Sequence, residues 1–380
     1  MGSFALSSDN KRVRVCFLTS VHQAFDVRIF HKEARSLAKA GFDVTLIAQH
    51  TKNERVDGVN IVGVSRPINR LDRIIRTCFR LFKLALKQKA DIYHFHDPEL
   101  ILGGVLLKLS GKKLIYDVHE DLPEQIMSKY YIHHWQKKPM AVLAGLIEKT
   151  ISNMFDCIIT ATDSIKEKFK RHTNVTSIGN FPIIDLGKRY HGTIDREKKS
   201  ASIIYVGGLT KVRGIGQVIY ALDYLPDTVE LVLLGEFSPK TYEDEVRRLK
   251  GFEKVRYLGL VDFKEVNTYL SSADIGIVCF MPEKNHINSR PTKLFEYMEA
   301  GLPVVASDFA LWRDIIDTSN CGICVDPTNP EEISEAIKYL LENPEKARQM
   351  GQNGRRAVLE SFNWGNESRK LLGVYRALSD

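Results

Sequence analysis

The stretch RPTKLFEYMEAGLPVVAS, Arg290 to Ser307, reads as an amphipathic helix that opens just after Pro291 and stops at Ala300-Gly301-Leu302-Pro303. It then passes straight into the apolar strand Val304-Val305-Ala306. A helix joined to a strand by so short a turn is half of a βαβ unit, the repeating element of a parallel sheet covered by helices. The same stretch sets a cation and a carboxylate, Lys293 and Glu296, one turn apart at the mouth of that helix.

Working outward, the alternation holds over nearly the whole chain. Towards the N-terminus, VRVCFLTS (Val13 to Ser20), DVTLIA (Asp43 to Ala48), DIYHFH (Asp91 to His96), KLIYDVH (Lys113 to His119) and DCIITAT (Asp156 to Thr162) are apolar or β-branched. Helical patterns such as Phe30 to Ala40 and Ile101 to Leu109 lie between them. A polar stretch, Gly187 to Ser200, interrupts the rhythm, which restarts with ASIIYVGG, VELVLLG, KVRYLG, ADIGIVCF, LPVVAS and CGICVD. The expected fold is α/β, two Rossmann-like doubly wound parallel-sheet domains facing across a cleft. Residues 1–185 would form the first, 186–200 a linker and 201–362 the second. Ligands of open parallel sheets gather beyond the carboxyl ends of the strands. The polar loops there make Asp26, Arg28, Asp97, Asp117, Glu120 and Asp121 candidate cleft residues of the first domain.

Size and composition agree with two soluble domains. The 380 residues exceed what one core usually serves, and 44% hydrophobic with 27% charged residues is a globular make-up. No apolar run approaches the roughly 20 residues of a membrane span, and the N-terminus lacks a secretory pattern. A cytoplasmic location is therefore expected. Six cysteines, Cys16, Cys78, Cys157, Cys279, Cys321 and Cys324, mostly lie inside strand-like runs, as buried thiols of a reducing compartment do.

Charge is distributed unevenly. Residues 1–185 hold 28 Lys and Arg against 19 Asp and Glu, or +9, whereas the remainder holds 26 against 28, or −2. A basic half suits an anionic surface. Two stretches within it mix cations with apolar residues. Arg66 to Lys89 interleaves Arg70, Arg73, Arg76, Arg80, Lys83 and Lys87 with Leu, Ile and Phe at helical spacing, and Ser128 to Lys138 combines aromatics with cations. The pattern fits a sheet-covering helix with a solvated basic face, or peripheral attachment to an anionic inner membrane leaflet. No nucleic-acid module is recognisable, so nucleic acid is not an expected partner.

In GGLTKVRGIG, Gly207 to Gly216, a strand ends in Gly207-Gly208, Lys211 and Arg213 follow, and Gly214 opens an apolar helix. Free backbone N–H groups, a helix start and two cations in one place suit a diphosphate; an ordinary glycine-rich turn with solvated basic residues is the plain alternative. Lys293, near a helix start, is unfavourable against the helix dipole unless an anion joins it. Glu296, one turn on, accepts two hydroxyl hydrogen bonds as a ribose presents them; the two residues as a mutual surface pair is again the plain alternative.

PTKLFEYMEAGLPVVASDF, with VRYLGLVDFKEVNTYLSSADIGIVCF, CGICVDPTNPEEISEAI and the terminal FNWGNESRKLLGVYRAL, resembles the C-terminal half of glycosyltransferase family 4. HFHDPEL and YDVHED look like that family's N-terminal loops facing donor sugar and acceptor. The resemblance implies a retaining, nucleotide-sugar-dependent enzyme of the GT-B fold, whose last helix, residues 363–380 from about Trp364, crosses back to the first domain. It gives Glu296 the ribose-binding place, the second glutamate of the family's E-x7-E motif. Asn288 stands where the first glutamate would meet the donor sugar. His119 takes the place of the histidine near the transferred sugar. Arg213 matches the lysine of the family's diphosphate-binding Arg/Lys pair, and Gly208 stands at the arginine position, which shifts phosphate neutralisation onto Arg213, Lys293 and Lys211. The family's usual Gly-Gly loop after the first strand is replaced by HQAFDVRI, leaving Asp26 and Arg28 to position the acceptor or bridge the domains.

The leaving diphosphate needs a divalent cation or fixed cations. No Asp-x-Asp occurs in the chain, so no metal or other cofactor is expected, and Arg213 and Lys293 would form the clamp. The resemblance implies front-face attack, with the leaving phosphate taking the acceptor proton and His119 orienting the sugar. Asp117, Glu120 and Asp121 flank His119 as acceptor-binding or base candidates. The acceptor would be a glycan or lipid-linked hydroxyl. Cys321-Gly-Ile-Cys324 has zinc or redox spacing without a second pair near it, and His94 and His96 alternate on a strand as core or loop histidines, or as a metal pair. A nucleotide-sugar epimerase of the same fold, or a non-catalytic nucleotide- or glycan-binding protein, are the rival functions.

Overall fold

The computed structural model describes residues 12–128, 132–184 and 200–379. The expected linker, up to residue 199, and part of the Ser128 to Lys138 stretch lie outside them. Two compact units result, Met1–Gly179 with Gly365–Asp380, and Asn180–Trp364.

The first unit is built on strands β1 (Arg14–Gln23), β2 (Asp43–Gln49), β3 (Glu54–Val56), β4 (Val59–Val64), β5 (Ile92–Phe95), β6 (Lys113–Val118), β7 (Cys157–Thr160) and β8 (Val175–Ser177). Their order is β3-β4-β2-β1-β5-β6-β7-β8, parallel throughout except for the β3–β4 hairpin. The runs that form β3, β4 and β8 are short or broken by Asn60 and Gly63, and they add to the strands expected from sequence. From β1 the chain reaches β2 through a helical segment, Val27–Ala34 then α1 (Arg35–Lys39). Asp26 starts it, its Oδ1 accepting from the Arg28 and Ile29 amides at 2.8 and 2.9 Å, as a helix cap should.

Helices α2 (Cys78–Gln88), α3 (Ile101–Leu109) and α4 (His134–Ser152) connect β4 to β5, β5 to β6 and β6 to β7. These crossovers all step the same way along the sheet, so their right-handedness lays the three helices side by side on one face. A Cβ on Gly103 would fall 1.8 Å from the Phe82 ring, which shows how closely α3 approaches α2. α4 is tied to the sheet by the Tyr116 hydroxyl, which donates to Glu148 Oε1 at 2.6 Å.

Burial pushes the Glu148 carboxyl from 4.5 up to about 7, against the lowering effect of that bond. A raised carboxyl stabilises the fold while protonated, and the benefit is lost as pH climbs through this window. Relative to Glu148→Gln, the wild-type chain should lose about 3 kcal/mol of stability between pH 4.5 and 7 and run parallel to it above. Urea unfolding of both chains across that range checks it.

The second unit carries β9 (Ala201–Val206), β10 (Val229–Leu234), β11 (Val255–Gly259), β12 (Ile275–Val278), β13 (Val304–Ser307) and β14 (Gly322–Val325), all parallel, in the order β11-β10-β9-β12-β13-β14. Its core includes Trp312, Tyr205, Tyr297 and Phe295. The opening stretch forms α6 (Thr292–Ala300), which follows α5 (Ile215–Ala221) in the chain. It ends as expected, with Gly301 left-handed at φ 76° and Leu302 N–H donating to Tyr297 C=O. Gly214, before α5, sits at φ 70°, and a Cβ there would fall 1.8 Å from the Cys279 carbonyl oxygen. Gly214→Ala should therefore cost about 2 kcal/mol or more in urea unfolding. The terminal helix, α7 (Trp364–Ser379), buries Leu371 and Tyr375 in the first unit, and its Glu367 accepts from the Gly179 amide at 2.7 Å.

Candidate active site

Each sheet reverses its strand order once, between β9 and β12 and between β1 and β5, the places where open parallel sheets bind ligands. In the second unit the loops leaving β9 and β12 converge at Gly207. A Cβ added to Gly207 would lie 3.0 Å from Lys293 Cε and 3.1 Å from Arg213 Nη1, so both cations meet at this glycine. Arg213 donates from Nη1 to the Tyr205 hydroxyl at 3.5 Å and stacks over Phe280 at 5.3 Å. Among the described residues no carboxylate pairs with it. Lys293 does pair, with Glu296 Oε2 at 3.3 Å, both half-buried. The two residues are thus neighbours, one turn apart at the start of α6.

Gly208 borders open space, where an added Cβ meets nothing within 4 Å. Lys211 turns away from the Gly207 cluster to Glu245 of the helix Lys240–Val246, at 3.3 Å and largely exposed. It does not join Arg213 and Lys293, because its short helical turn, Lys211–Arg213, projects the two side chains apart. Asn288 is exposed at the end of the helix Lys284–Ile287. A cavity of about 390 Å³ opens beyond β9 and β10, bordered by Gly207, Gly208, Gly235, Glu236 and Ser238.

The first unit gathers its polar residues in a buried network. Arg28 is 5% exposed and forks onto Asp117, Nη2 to Oδ1 and Oδ2 at 3.1 and 3.0 Å, while its Nε lies 3.0 Å from Glu33 Oε1. Asp117 Oδ2 also faces His94, His96 and His119 at 3.6, 3.5 and 3.4 Å. His96 Nδ1 and His119 Nε2 stand 3.1 Å apart, and His94 Nδ1 lies 2.7 Å from the Tyr375 hydroxyl of α7. Burial alone would raise the Asp117 carboxyl; Arg28 reverses this and holds it well below the usual range. Glu33 goes the other way, pushed up by burial and by the Asp117 charge. Burial also drives His94 and His96 below the ordinary imidazole range.

Arg28, Asp117 and Asp97, expected as acceptor or cleft residues, are therefore buried interior groups. Asp97, 5% exposed, accepts from Ser20 N–H at 2.6 Å and Thr19 Oγ1 at 2.8 Å, clamping β1 to β5. Asp26 is the helix cap; burial would raise its carboxyl, but His22 at 3.2 Å and the Ile29 amide hold it well below the usual range. His119 reaches the surface with 23% of its side chain exposed, and Glu120 is exposed. Asp121 is ion-paired with Lys168. Glu33, His94, His96 and Asp117 offer ligand atoms within 4.8 Å of one another, as a metal site would. A dication there would sit beside a guanidinium that both carboxylates already hold, so Arg28 fills the place of the cation.

Glu33, Tyr205, Phe280 and Tyr375 were outside the sequence expectation. Glu33 was detectable, since it stands four residues from both Ile29 and Leu37, on the buried stripe of its helix. Tyr375 carries no local signal, because its partner His94 is 281 residues away.

Comparison with known proteins places this architecture. The family model for glycosyl transferases group 1 matches residues 188–357, and that for glycosyltransferase family 4 matches residues 27–180. The chain is a family-4-like glycosyltransferase of the GT-B fold. This glycosyltransferase is similar to the glycogen synthase of Mycobacterium tuberculosis, 21% identical over 92% of this chain and 90% of the relative. It also resembles the MMP alpha-(1->4)-mannosyltransferase of Mycolicibacterium hassiacum, 22% identical over 78% and 73%. Among solved structures its fold matches sucrose-phosphate synthase from Thermosynechococcus elongatus, with TM-score 0.78 at 18% identity over 97% of this chain and 99% of the other. Anabaena HepE in complex with UDP-glucose follows the same fold, with TM-score 0.73 at 13% identity over 96% and 100%.

Proposed function

We propose that the enzyme transfers a sugar, with retention and without a metal ion, from a nucleoside-diphosphate sugar to a hydroxyl of a glycan or lipid-linked acceptor. The observation that carries this reading is the convergence of Arg213 and Lys293 on Gly207 at the strand-order reversal, with Glu296 3.3 Å from Lys293. Two fixed cations meet the diphosphate and Glu296 accepts from the ribose hydroxyls. In the transfer, the bond from the anomeric carbon to the phosphate oxygen breaks and a bond to the acceptor oxygen forms on the same face. The acceptor proton passes to the departing phosphate. His119 is the first-unit group assigned to the transferred sugar, which it orients without attacking, and Glu120 and Asp121 lie beside it in sequence for the acceptor. Asn288 and Gly208 tune donor choice. Attachment to an anionic membrane through the Arg66 to Lys89 and Ser128 to Lys138 stretches completes the reading.

Incubation with UDP-, GDP-, ADP- and dTDP-sugars tests it, with HepE's UDP-glucose complex making uridine nucleotides the first to try. The expected result is free nucleoside diphosphate and, with acceptor present, a glycoside of the donor's anomeric configuration, at a rate unchanged by EDTA. An inverted product, epimerised donor, or EDTA inhibition reversed by a divalent ion would overturn it.

A further inference from the structure

The layer formed by α2, α3 and α4 has an unusual outer side. On α3, Leu102, Leu106 and Leu109 are about 70% exposed and recur every three to four residues, a stripe that points away from the sheet. α4 adds Val142, Leu143 and Leu146, each more than half exposed. α2 packs against α3 and α3 against α4, so these stripes lie on adjoining helices of one layer. Phe79 of α2, 72% exposed, continues the patch. Scattered surface leucines need no explanation, but apolar residues repeated over neighbouring helices mark a docking surface.

Charge decides what docks. The helical residues 70–88, 101–109 and 134–152 hold 10 Lys and Arg and 2 acids, Asp72 and the buried Glu148, a count of +8 that Glu99 and Asp156, paired with Arg73 and Lys108, bring to +6. Arg76, Arg80, Lys83 and Lys87 are exposed on α2 and the turn before it. A second copy joined through this face by a two-fold axis would set the same cations against one another with little acid to offset them. An anionic lipid surface offers headgroup phosphates to the cations and an apolar boundary to the leucines.

We infer that the outer side of α2, α3 and α4 is the face on which the enzyme lies against an anionic phospholipid bilayer. The leucines of α3 and α4 enter the acyl boundary, and the cations of α2 hold the headgroups. Among the described residues no helix is long and apolar enough to cross a membrane, so attachment is to the surface. The inference deepens the membrane partner of the proposed reading and moves its apolar part onto α3 and α4, outside the two stretches singled out from sequence. It is tested without any sugar donor, so its failure leaves the donor-site reading standing.

The experiment is sedimentation of the full chain with vesicles of phosphatidylcholine alone and of phosphatidylcholine mixed with phosphatidylglycerol. Binding is expected to the mixed vesicles only. Leu102→Ser/Leu106→Ser/Leu109→Ser should weaken it about tenfold or more, as should Arg76→Glu/Arg80→Glu/Lys83→Glu. Both variants should keep the wild-type circular dichroism, since every altered side chain is exposed. Equal binding by wild type and variants overturns the inference. So does a wild-type dimer in light scattering that the leucine variant dissociates, which would assign the face to a second copy.

Discussion

Arg28→Met should lower the unfolding free energy of the chain by about 3–5 kcal/mol, the usual cost of stranding a buried charge. Asp117 is fully buried and keeps its negative charge through the Arg28 fork, and the facing His94 and His96, which burial drives below the ordinary imidazole range, cannot replace a guanidinium. Arg28→Lys should recover little of the loss, because an ammonium cannot span both Asp117 oxygens and still face Glu33. A second change, Asp117→Asn in the Arg28→Met background, should restore part of it by removing the stranded charge. Urea unfolding of the four chains gives the comparison. A loss below about 1 kcal/mol for Arg28→Met would show that the network is not the interior clamp described.

Arg213→Ala and Lys293→Ala should each reduce kcat by about a hundredfold to a thousandfold, the scale of removing one preorganised group that stabilises developing charge. Arg213 is paired with no carboxylate among the described residues, so its charge is not offset by an acid beside it. Lys293→Ala has a further expected effect. It leaves Glu296 without its 3.3 Å partner, so a negative charge faces the diphosphate and KM for the donor should rise as well. Lys211→Ala, by contrast, should stay within about twofold of wild type, since Lys211 is held by Glu245 on the far side of its turn. Initial rates at varied donor concentration separate these outcomes.

Much of the second unit could be read from sequence. Its strands are short apolar runs, its helix α6 has a proline start and a glycine stop, and its cations Arg213 and Lys293 stand in the turn after β9 and at the start of α6, places that follow from the strand order. The local rules for helix, turn and strand all point the same way there. The first unit was harder for a physical reason. Its charged residues look like loop residues, yet Arg28, Asp97 and Asp117 face inward: Arg28 neutralises Asp117 across 89 positions of sequence, and Asp97 accepts from the Ser20 amide across 77. Spacing says where a side chain leaves the backbone; only the packed sheet says that a cation and a carboxylate were waiting for each other. The Lys293 and Glu296 pair shows the milder form of the same limit, since helical spacing allowed both pairing and ligand binding and the structure displays the pair.

Arg213, Lys293 and Glu296 are proposed to form a nucleoside-diphosphate sugar site. Isothermal titration of the wild-type chain with the four nucleotide-sugar classes, repeated with Glu296→Ala, tests it most directly. The expected result is saturable binding of at least one class by the wild type and weakening by about tenfold to a hundredfold in Glu296→Ala, the value of hydrogen bonds to one charged group. Equal affinity of the two chains, or no binding of any nucleotide sugar by the wild type, would contradict it.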